Sequence, residues 1–245
     1  MPVTKEWFNT WFDSPYYHIL YHDRDEKEAS FFLENLFAKI NIIPGGLVLD
    51  LACGKGRHSL ILHQKGFDVT GIDFSEKNIA YAQKSEEAGL SFFKHDMRDP
   101  FRVNYFDVVL NLFTSFGYFK TKNENEKVMR NVVMMLRPGG LFVLDFMNVK
   151  VALKKMTGEE TKKISGIDFH IVRSAAEGMI RKEIRFTDRG CSYDFTEEVQ
   201  ALDKKDLENY FERSGLKPVH LWGNYALDPF DEEHSERLIL AGIKK

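Results

Sequence analysis

Residues 48–57 read Val48-Leu49-Asp50-Leu51-Ala52-Cys53-Gly54-Lys55-Gly56-Arg57. The short apolar run Leu47–Leu51, carrying one acid, has the look of a strand buried in a parallel sheet. Two glycines follow it, and a helix is expected over about 57–65 with Gly66 as its stop. Gly54 and Gly56 have no Cβ, so the backbone there can approach a ligand closely and adopt positive φ. The N-terminus of the next helix offers free N–H groups and a positive dipole end, which suit an anionic group. A second acid, Asp73, closes the next apolar run 23 residues after Asp50. A carboxylate in that place accepts hydrogen bonds from both hydroxyls of a ribose. The two features together fit an adenosine-containing cofactor. For the glycines alone, a plain structural turn is the alternative.

The same unit recurs outward from this turn. Asp68–Ile72, Leu90–Lys94, Phe106–Leu110 and Leu141–Phe146 read as strands. Helices are expected over 75–87 and 124–136 between them, and a helical stripe of Phe31, Phe32, Leu36 and Ile40 precedes them. Strand–helix alternation of this kind means an α/β fold, a parallel sheet covered on both faces. The pattern changes after residue 148. Ile167, Phe169 and Ile171 alternate, as do Ile180, Ile184 and Phe186 around Lys182, and Cys191, Tyr193 and Phe195. Hairpin-like joins at Glu177-Gly178 and Asp188-Arg189-Gly190 make 160–200 an antiparallel three-stranded insertion after the fifth strand. A helix from Asp203 to Ser214 and two apolar strands, Val219–Trp222 and Leu238–Ile243, then complete the main sheet.

Composition sets the outer bounds. The chain has 245 residues, 43% hydrophobic and 29% charged, which is enough for a full core without disulfides or a structural metal. A net charge of −3 argues against a dedicated nucleic-acid binder. Two cysteines make no disulfide framework, so a reduced cytoplasmic setting is expected. No apolar run reaches the roughly 18 residues of a membrane span, and Lys5, Glu6, Trp7 and Trp11 stand where an export signal would be apolar. His18 and His22 have a metal-binding spacing but no evident third ligand, so no metal is expected.

The identity of the cofactor turns on the glycines. A dinucleotide fingerprint needs three, and its third place falls on Ser59. Asp50-Leu51-Ala52-Cys53-Gly54-Lys55-Gly56 instead resembles motif I of the class I S-adenosylmethionine-dependent methyltransferases. Gly71-Ile72-Asp73-Phe74-Ser75 is similar to their next motif, with the ribose-binding acid. His95-Asp96-Met97-Arg98 resembles the segment where an aspartate meets the adenine amino group and the following N–H meets the ring. Phe106-Asp107-Val108-Val109-Leu110-Asn111-Leu112-Phe113 is similar to the fourth strand and the loop under the methionine part. Leu136-Arg137-Pro138-Gly139-Gly140-Leu141 resembles the turn into the fifth strand. These motifs come in family order over about 45–150. The resemblance implies a Rossmann-like, seven-stranded, mostly parallel sheet with its last strand antiparallel. It implies S-adenosyl-L-methionine as cofactor, bound by Asp50, Ala52, Gly54, Gly56, Asp73, Phe74, Asp96, Met97, Asn111, Leu112 and Phe113.

Nucleic-acid methyltransferases of this class carry an Asn/Asp-Pro-Pro-aromatic motif where this chain has Asn111-Leu112-Phe113. The resemblance is rather to small-molecule N-methyltransferases, amino-sugar and glycine-type ones included. In those, aromatic residues of an N-terminal helix fold over the cofactor. Residues 1–27 are therefore read as a lid, with Tyr17, Tyr21 and Arg24 as its contacts. Packing is the alternative for the tyrosines, and a solvated charge is the alternative for Arg24. Tyr17, Tyr21 and Tyr118 are the candidates for orienting or deprotonating the acceptor. His58 and His95 adjoin the cofactor motifs and are placed behind the residues that touch it. Cys53 reads as packing, Trp222 as core, and Tyr225 and Phe230 as a rim to the substrate mouth or part of a solvated loop.

The expected division is lid 1–27, cofactor-binding core 28–148, β insertion 149–200 as a substrate cap, and core resumed over 201–245. The expected reaction is methyl transfer to a small-molecule acceptor, an amine nitrogen, with neither nucleic acid nor membrane as partner. The oligomeric state stays open, a homodimer included. An NAD-dependent oxidoreductase and a non-catalytic cofactor-binding regulator are the competing readings.

Overall fold

The computed structural model describes residues 6–22, 26–40, 42, 44–156 and 158–245. Arg24 lies outside the described residues. Two short helices open the chain, α1 (Phe8–Trp11) and α2 (Pro15–Leu20), followed by α3 (Glu26–Lys39). Then come β1 (Leu47–Leu51), α4 (Arg57–Gln64), β2 (Asp68–Asp73), α5 (Glu76–Ala82), β3 (Leu90–Lys94), β4 (Phe106–Asn111), α6 (Lys122–Met135) and β5 (Leu136–Met147). After α7 (Val149–Lys154) four strands follow in series, β6 (Glu159–Ile164), β7 (Ile167–Ala176), β8 (Met179–Asp188) and β9 (Cys191–Gln200). The chain ends with α8 (Lys204–Ser214), β10 (Leu216–Trp222) and β11 (Arg237–Lys244).

Seven strands form one sheet in the order β3-β2-β1-β4-β5-β11-β10. β11 is antiparallel to both its neighbours, and the other pairings are parallel. From β1 the chain winds outward through β2 and β3, then crosses back to place β4 on the other side of β1. That reversal opens a crevice at the C-terminal ends of β1 and β4, where open α/β sheets bind ligands. Local chemistry sets the helix ends that border it. Ser75 caps α5 by accepting the Asn78 N–H at 3.0 Å, and Thr121 with Glu124 forms a capping box on α6.

Two sequence expectations change. In α3 the buried stripe is Ala29, Phe32, Leu33 and Leu36, while Phe31 is half exposed. Phe31 and Phe32 lie about 100° apart around a helix, so one stripe cannot hold both. The insertion has four strands, not three, in the order β6-β7-β8-β9. β6 reads Glu-Glu-Thr-Lys-Lys-Ile, an edge strand without apolar alternation, and charged residues are how edges avoid further pairing.

One face of this second sheet carries Ile167, Phe169, Ile171, Ile184 and Phe186, all buried. Strand periodicity puts them on one side, and α1 and α2 cover them with Trp11 and Leu20. Trp11 is fully buried, its ring 4.6 Å from that of Phe195, and its indole N–H donates to Glu197 Oε1 at 2.6 Å. The expected lid is therefore also the cover of a core. Gln200, at the end of β9, ties the insertion to the main sheet. Its side chain donates to the Phe119 carbonyl and accepts from Asn125, and its N–H donates to the Gly117 carbonyl.

Trp11→Ala is expected to lower unfolding free energy by about 3–5 kcal/mol, because a large buried ring leaves a cavity. Urea denaturation measures this. A loss below about 1 kcal/mol would mean that α1 is not part of this core.

Candidate active site

The turn after β1 is built from left-handed residues: Ala52 has φ 64°, Gly54 56° and Gly56 81°. The two glycines do different work. A Cβ on Gly56 would sit 2.7 Å from the Phe92 ring, so this position is closed by packing. A Cβ on Gly54 would meet no atom within 4 Å, so its open side faces the crevice. The Gly54 N–H donates to Asp73 Oδ2 at 2.9 Å, and the Ser75 N–H donates to Oδ1 at 2.8 Å. One carboxylate thus holds the turn after β1 to the turn after β2.

Burial pushes the Asp73 carboxyl up to about 6, against the pull of those two N–H groups. Asp50, one strand away, is also pushed up to about 6, chiefly by burial and further by Asp73, although the Ser59 hydroxyl donates to it at 2.6 Å. Two acids raised together by depth beside an open crevice make this a candidate binding site.

Above this turn lies a cavity of about 480 Å³. Asp50, Ala52, Gly54, Asp73, Phe74, Asp96, Met97, Leu112 and Phe113 line it, with Tyr17, Tyr21 and Tyr118 on the far wall. Gly56 and Asn111 do not line it. Gly56 is turned toward Phe92, and buried Asn111 donates from Nδ2 to the Leu51 carbonyl at 3.0 Å, holding β4 to β1. Asp96 is engaged by its neighbour. The Arg98 guanidinium donates to it at 2.7 Å and, with the Arg98 N–H, outweighs burial and holds its carboxyl below the usual range. Arg98 also pairs with Glu6 and Glu124, which pins this wall to α6.

His58 and His95, expected behind the wall, are on it. Burial, with Arg57 second, pulls His58 down to about 3, so its ring is neutral, and it packs tilted against Phe113 with the ring centres 5.0 Å apart. Burial pushes the Cys53 thiol well up, which removes it as a nucleophile. Tyr225 and Phe230 line neither this cavity nor the next one. The Tyr225 hydroxyl instead donates to buried Asp145 at 3.1 Å. Asp145 also accepts the Phe113 N–H at 2.9 Å and pairs with Arg237 at 2.7 Å. This network holds Phe113 and Thr114 at φ 58° and 60°, a left-handed pair that the loop alone would not keep.

A second cavity, of about 490 Å³, lies beyond the tyrosines, toward the insertion sheet. Phe12, Tyr17, Tyr21, Phe113 and Tyr118 line both. The sequence marked the tyrosines but not Phe12, whose ring is 5.0 Å from Tyr17 and 5.6 Å from Tyr118. It also missed Glu197, which accepts the Tyr21 hydroxyl at 2.7 Å, and Lys182, which donates to that hydroxyl at 2.6 Å. The one available signal was Lys182 itself, a charge in an apolar alternation.

The first cavity fits the implied cofactor on its own terms. A Cβ-free position faces inward, a carboxylate at the ribose place keeps lone pairs beyond its two N–H bonds, and apolar walls flank both. Comparison with known proteins agrees. Residues 48–140 match a family described as "Methyltransferase domain". The chain is 32% identical over 209 residues to "Putative methyltransferase YqeM" of Bacillus subtilis (strain 168), covering 81% of this chain and 84% of that one. It is 33% identical over 120 residues to the glycine N-methyltransferase of Oryctolagus cuniculus, covering 41% of this chain and 40% of that protein. The crystal structure of an S-adenosylmethionine-dependent methyltransferase from Clostridium acetobutylicum superposes with a TM-score of 0.79 at 20% identity, covering 94% and 96% of the two chains.

Two outcomes follow from this geometry. S-adenosylhomocysteine should bind more tightly as pH rises from 5 to 7, because Asp73 ionises near 6 and the carboxylate is the better acceptor for ribose hydroxyls. Asp73→Asn should cost about 1–3 kcal/mol of binding at pH 7.5 and less at pH 5, where the native carboxyl is already protonated. Calorimetry at both pH values checks this, and an equal loss at both would count against Asp73 as the ionised partner. Gly54→Val should lose the cofactor and keep the fold. Gly56→Val should lower the melting temperature more, because its side chain meets Phe92. A fold equally stable in both variants would refute the different roles of the two glycines.

Proposed function

The chain belongs to the class I S-adenosylmethionine-dependent methyltransferase family, and on that premise we propose that it methylates an amine nitrogen of a small molecule. The observation that carries this reading is the pair of cavities sharing one aromatic ring of residues. A cofactor cavity that shares Phe12, Tyr17, Tyr21, Phe113 and Tyr118 as a common wall with a second chamber reads as a donor site facing an acceptor site. About 490 Å³ suits a small molecule. The likeness to a glycine N-methyltransferase supports nitrogen as the acceptor atom.

When bound, S-adenosylmethionine supplies a methyl group on a positively charged sulfur, activated for in-line attack. The chain's own residues supply alignment and dryness. Asp73 would hold the ribose, Gly54 would let the backbone approach the methionine part, and Asp96 and Met97 would border the adenine. The aromatic ring excludes water from the opening and fixes the line of approach, which is where most of the rate comes from.

An attacking amine must be neutral and must shed a proton. Tyr21 suits both needs, because its hydroxyl donates to Glu197 while its ring borders both cavities. In this reading the amine proton passes to the Tyr21 oxygen as the Tyr21 proton passes to Glu197. Tyr118 is held by hydrogen bonds from Gln200 to the carbonyls on either side, and it orients the acceptor from the opposite wall.

Release of S-adenosylhomocysteine over a screen of amines, amino acids, amino sugars and phenols tests the assignment. Tyr21→Phe and Glu197→Gln should each lower kcat by about 10²-fold, within the usual range for a proton acceptor. Cofactor affinity should change less than threefold. Unchanged kcat in both variants would leave Tyr21 as a packing residue, and turnover of phenols alone would refute the amine.

A further inference from the structure

The floor of the second chamber breaks the pattern of its own sheet. Period-two alternation puts Glu160 and Lys162 of β6, Arg173 of β7, Lys182 of β8 and Glu197 of β9 on the same inner face as Phe169, Ile184 and Phe186. Half of that face is apolar and covered by α1 and α2. Beyond that core the alternation turns charged before it returns to Ile180 and Val199, and both stretches line the chamber. Arg173 is directly opposite Lys182, and Lys182 is directly opposite Glu197, so the charges form a row across three strands. Lys182 and Glu197 are largely buried and carry a desolvation cost there, while Lys162 reaches solvent at the chamber's rim.

The row carries more cations than carboxylates. Lys162 and Arg173 share Glu160, with Lys162 at 3.7 Å, and Lys182 stands 3.8 Å from Glu197. Lys155 and Arg237 line the same chamber but are paired with Glu236 and Asp145, and Glu198 lines it paired with Arg181, so the excess lies in the row itself. Glu160 registers the excess: burial raises its carboxyl, but Arg173, Lys162 and Lys182 together hold it below the ordinary range. Glu160 engages Arg173 through Nη2, and a guanidinium fork carries further donors suited to two oxygens at once.

We propose that Arg173 and Lys162, flanked by Lys182, form a subsite for an oxyanion, a carboxylate or a phosphate, carried by the methyl acceptor. This rests on reading the chamber as the acceptor site. Arg173 stands one strand beyond Lys182, about 5 Å, and Lys182 donates to Tyr21. The acceptor is therefore an anionic amine, with its nitrogen at the tyrosines and its negative group a few bonds away over β7 and β6. The two charged ends also set its direction, since Glu197 lies at the tyrosine end and the excess of cations at the other.

The test uses the full chain. Binding of S-adenosylhomocysteine is measured first by calorimetry, so failure of the methyltransferase reading shows there. Sodium acetate and sodium phosphate are then titrated into loaded and cofactor-free protein at constant ionic strength, with chloride as reference. Saturable millimolar binding of one or both is expected, the stronger of the two naming the oxyanion. Arg173→Met should weaken it at least tenfold and Lys162→Gln at least threefold. Arg173→Lys should keep part of it, and Arg185→Ala, on the outer face, should change nothing. Turnover is compared for glycine against glycinamide and for glucosamine 6-phosphate against glucosamine. The anionic member of at least one pair should have tenfold higher kcat/KM, and Arg173→Met should erase that difference through KM. Anion binding indifferent to Arg173→Met and Lys162→Gln, or neutral members turned over as well as anionic ones, would overturn the subsite while leaving methyl transfer standing.

Discussion

The site depends on one carboxylate held between two backbone N–H groups. Asp73 takes the Gly54 N–H on one oxygen and the Ser75 N–H on the other. That joins the turns after β1 and β2, beside the crevice between β1 and β4 where the strand order reverses. The tie works with the Cys53 N–H, which donates to the Ile72 carbonyl at 3.0 Å, to hold a turn whose Ala52, Gly54 and Gly56 are left-handed. The tie also keeps a charge deep in the protein, and its cost is visible in the raised carboxyls of Asp73 and Asp50. A ligand that brings hydroxyls to Asp73 would relieve that cost, so the residue that shapes the turn is also the one proposed to hold the ribose.

The second half of the site comes from a different part of the fold. The antiparallel insertion is not an appendage to the sheet. Its inner face packs on the N-terminal helices, and Gln200 anchors its last strand to the loop that carries Tyr118. Tyr17 and Tyr21 reach the opening from α2 and the residue after it, and Glu197 and Lys182 brace Tyr21 from β9 and β8. An aromatic ring assembled from three regions can stand between the two cavities only if each region is held firmly. Trp11 supplies one such hold, and the Asp145–Arg237 pair beneath Phe113 supplies another.

Much of the first half was legible in the sequence because its chemistry is local. Asp50, Gly54 and Asp73 are set by where strands end and turns begin, and their spacing follows from the βαβ unit. Gly56 was legible as a turn glycine but not as the one closed by Phe92, since that contact comes from β3. Asn111 carried a family motif, yet its amide serves β1. Tyr225 looked like a rim residue because it sits in a polar loop, and only the fold brings it to Asp145. β6 was missed because an edge strand needs charge rather than alternation. The charged floor was the least legible. Its members are spread from residue 160 to residue 197, and only the strand register places them in one row.

The most direct measurement of the central claim is a crystal structure of the full chain with S-adenosylhomocysteine. Both ribose hydroxyls are expected within hydrogen-bond reach of Asp73, with the sulfur directed at the wall of Tyr17, Tyr21 and Tyr118 shared by the two cavities. A ribose away from Asp73, or a sulfur facing a wall closed off from the second chamber, would contradict that claim.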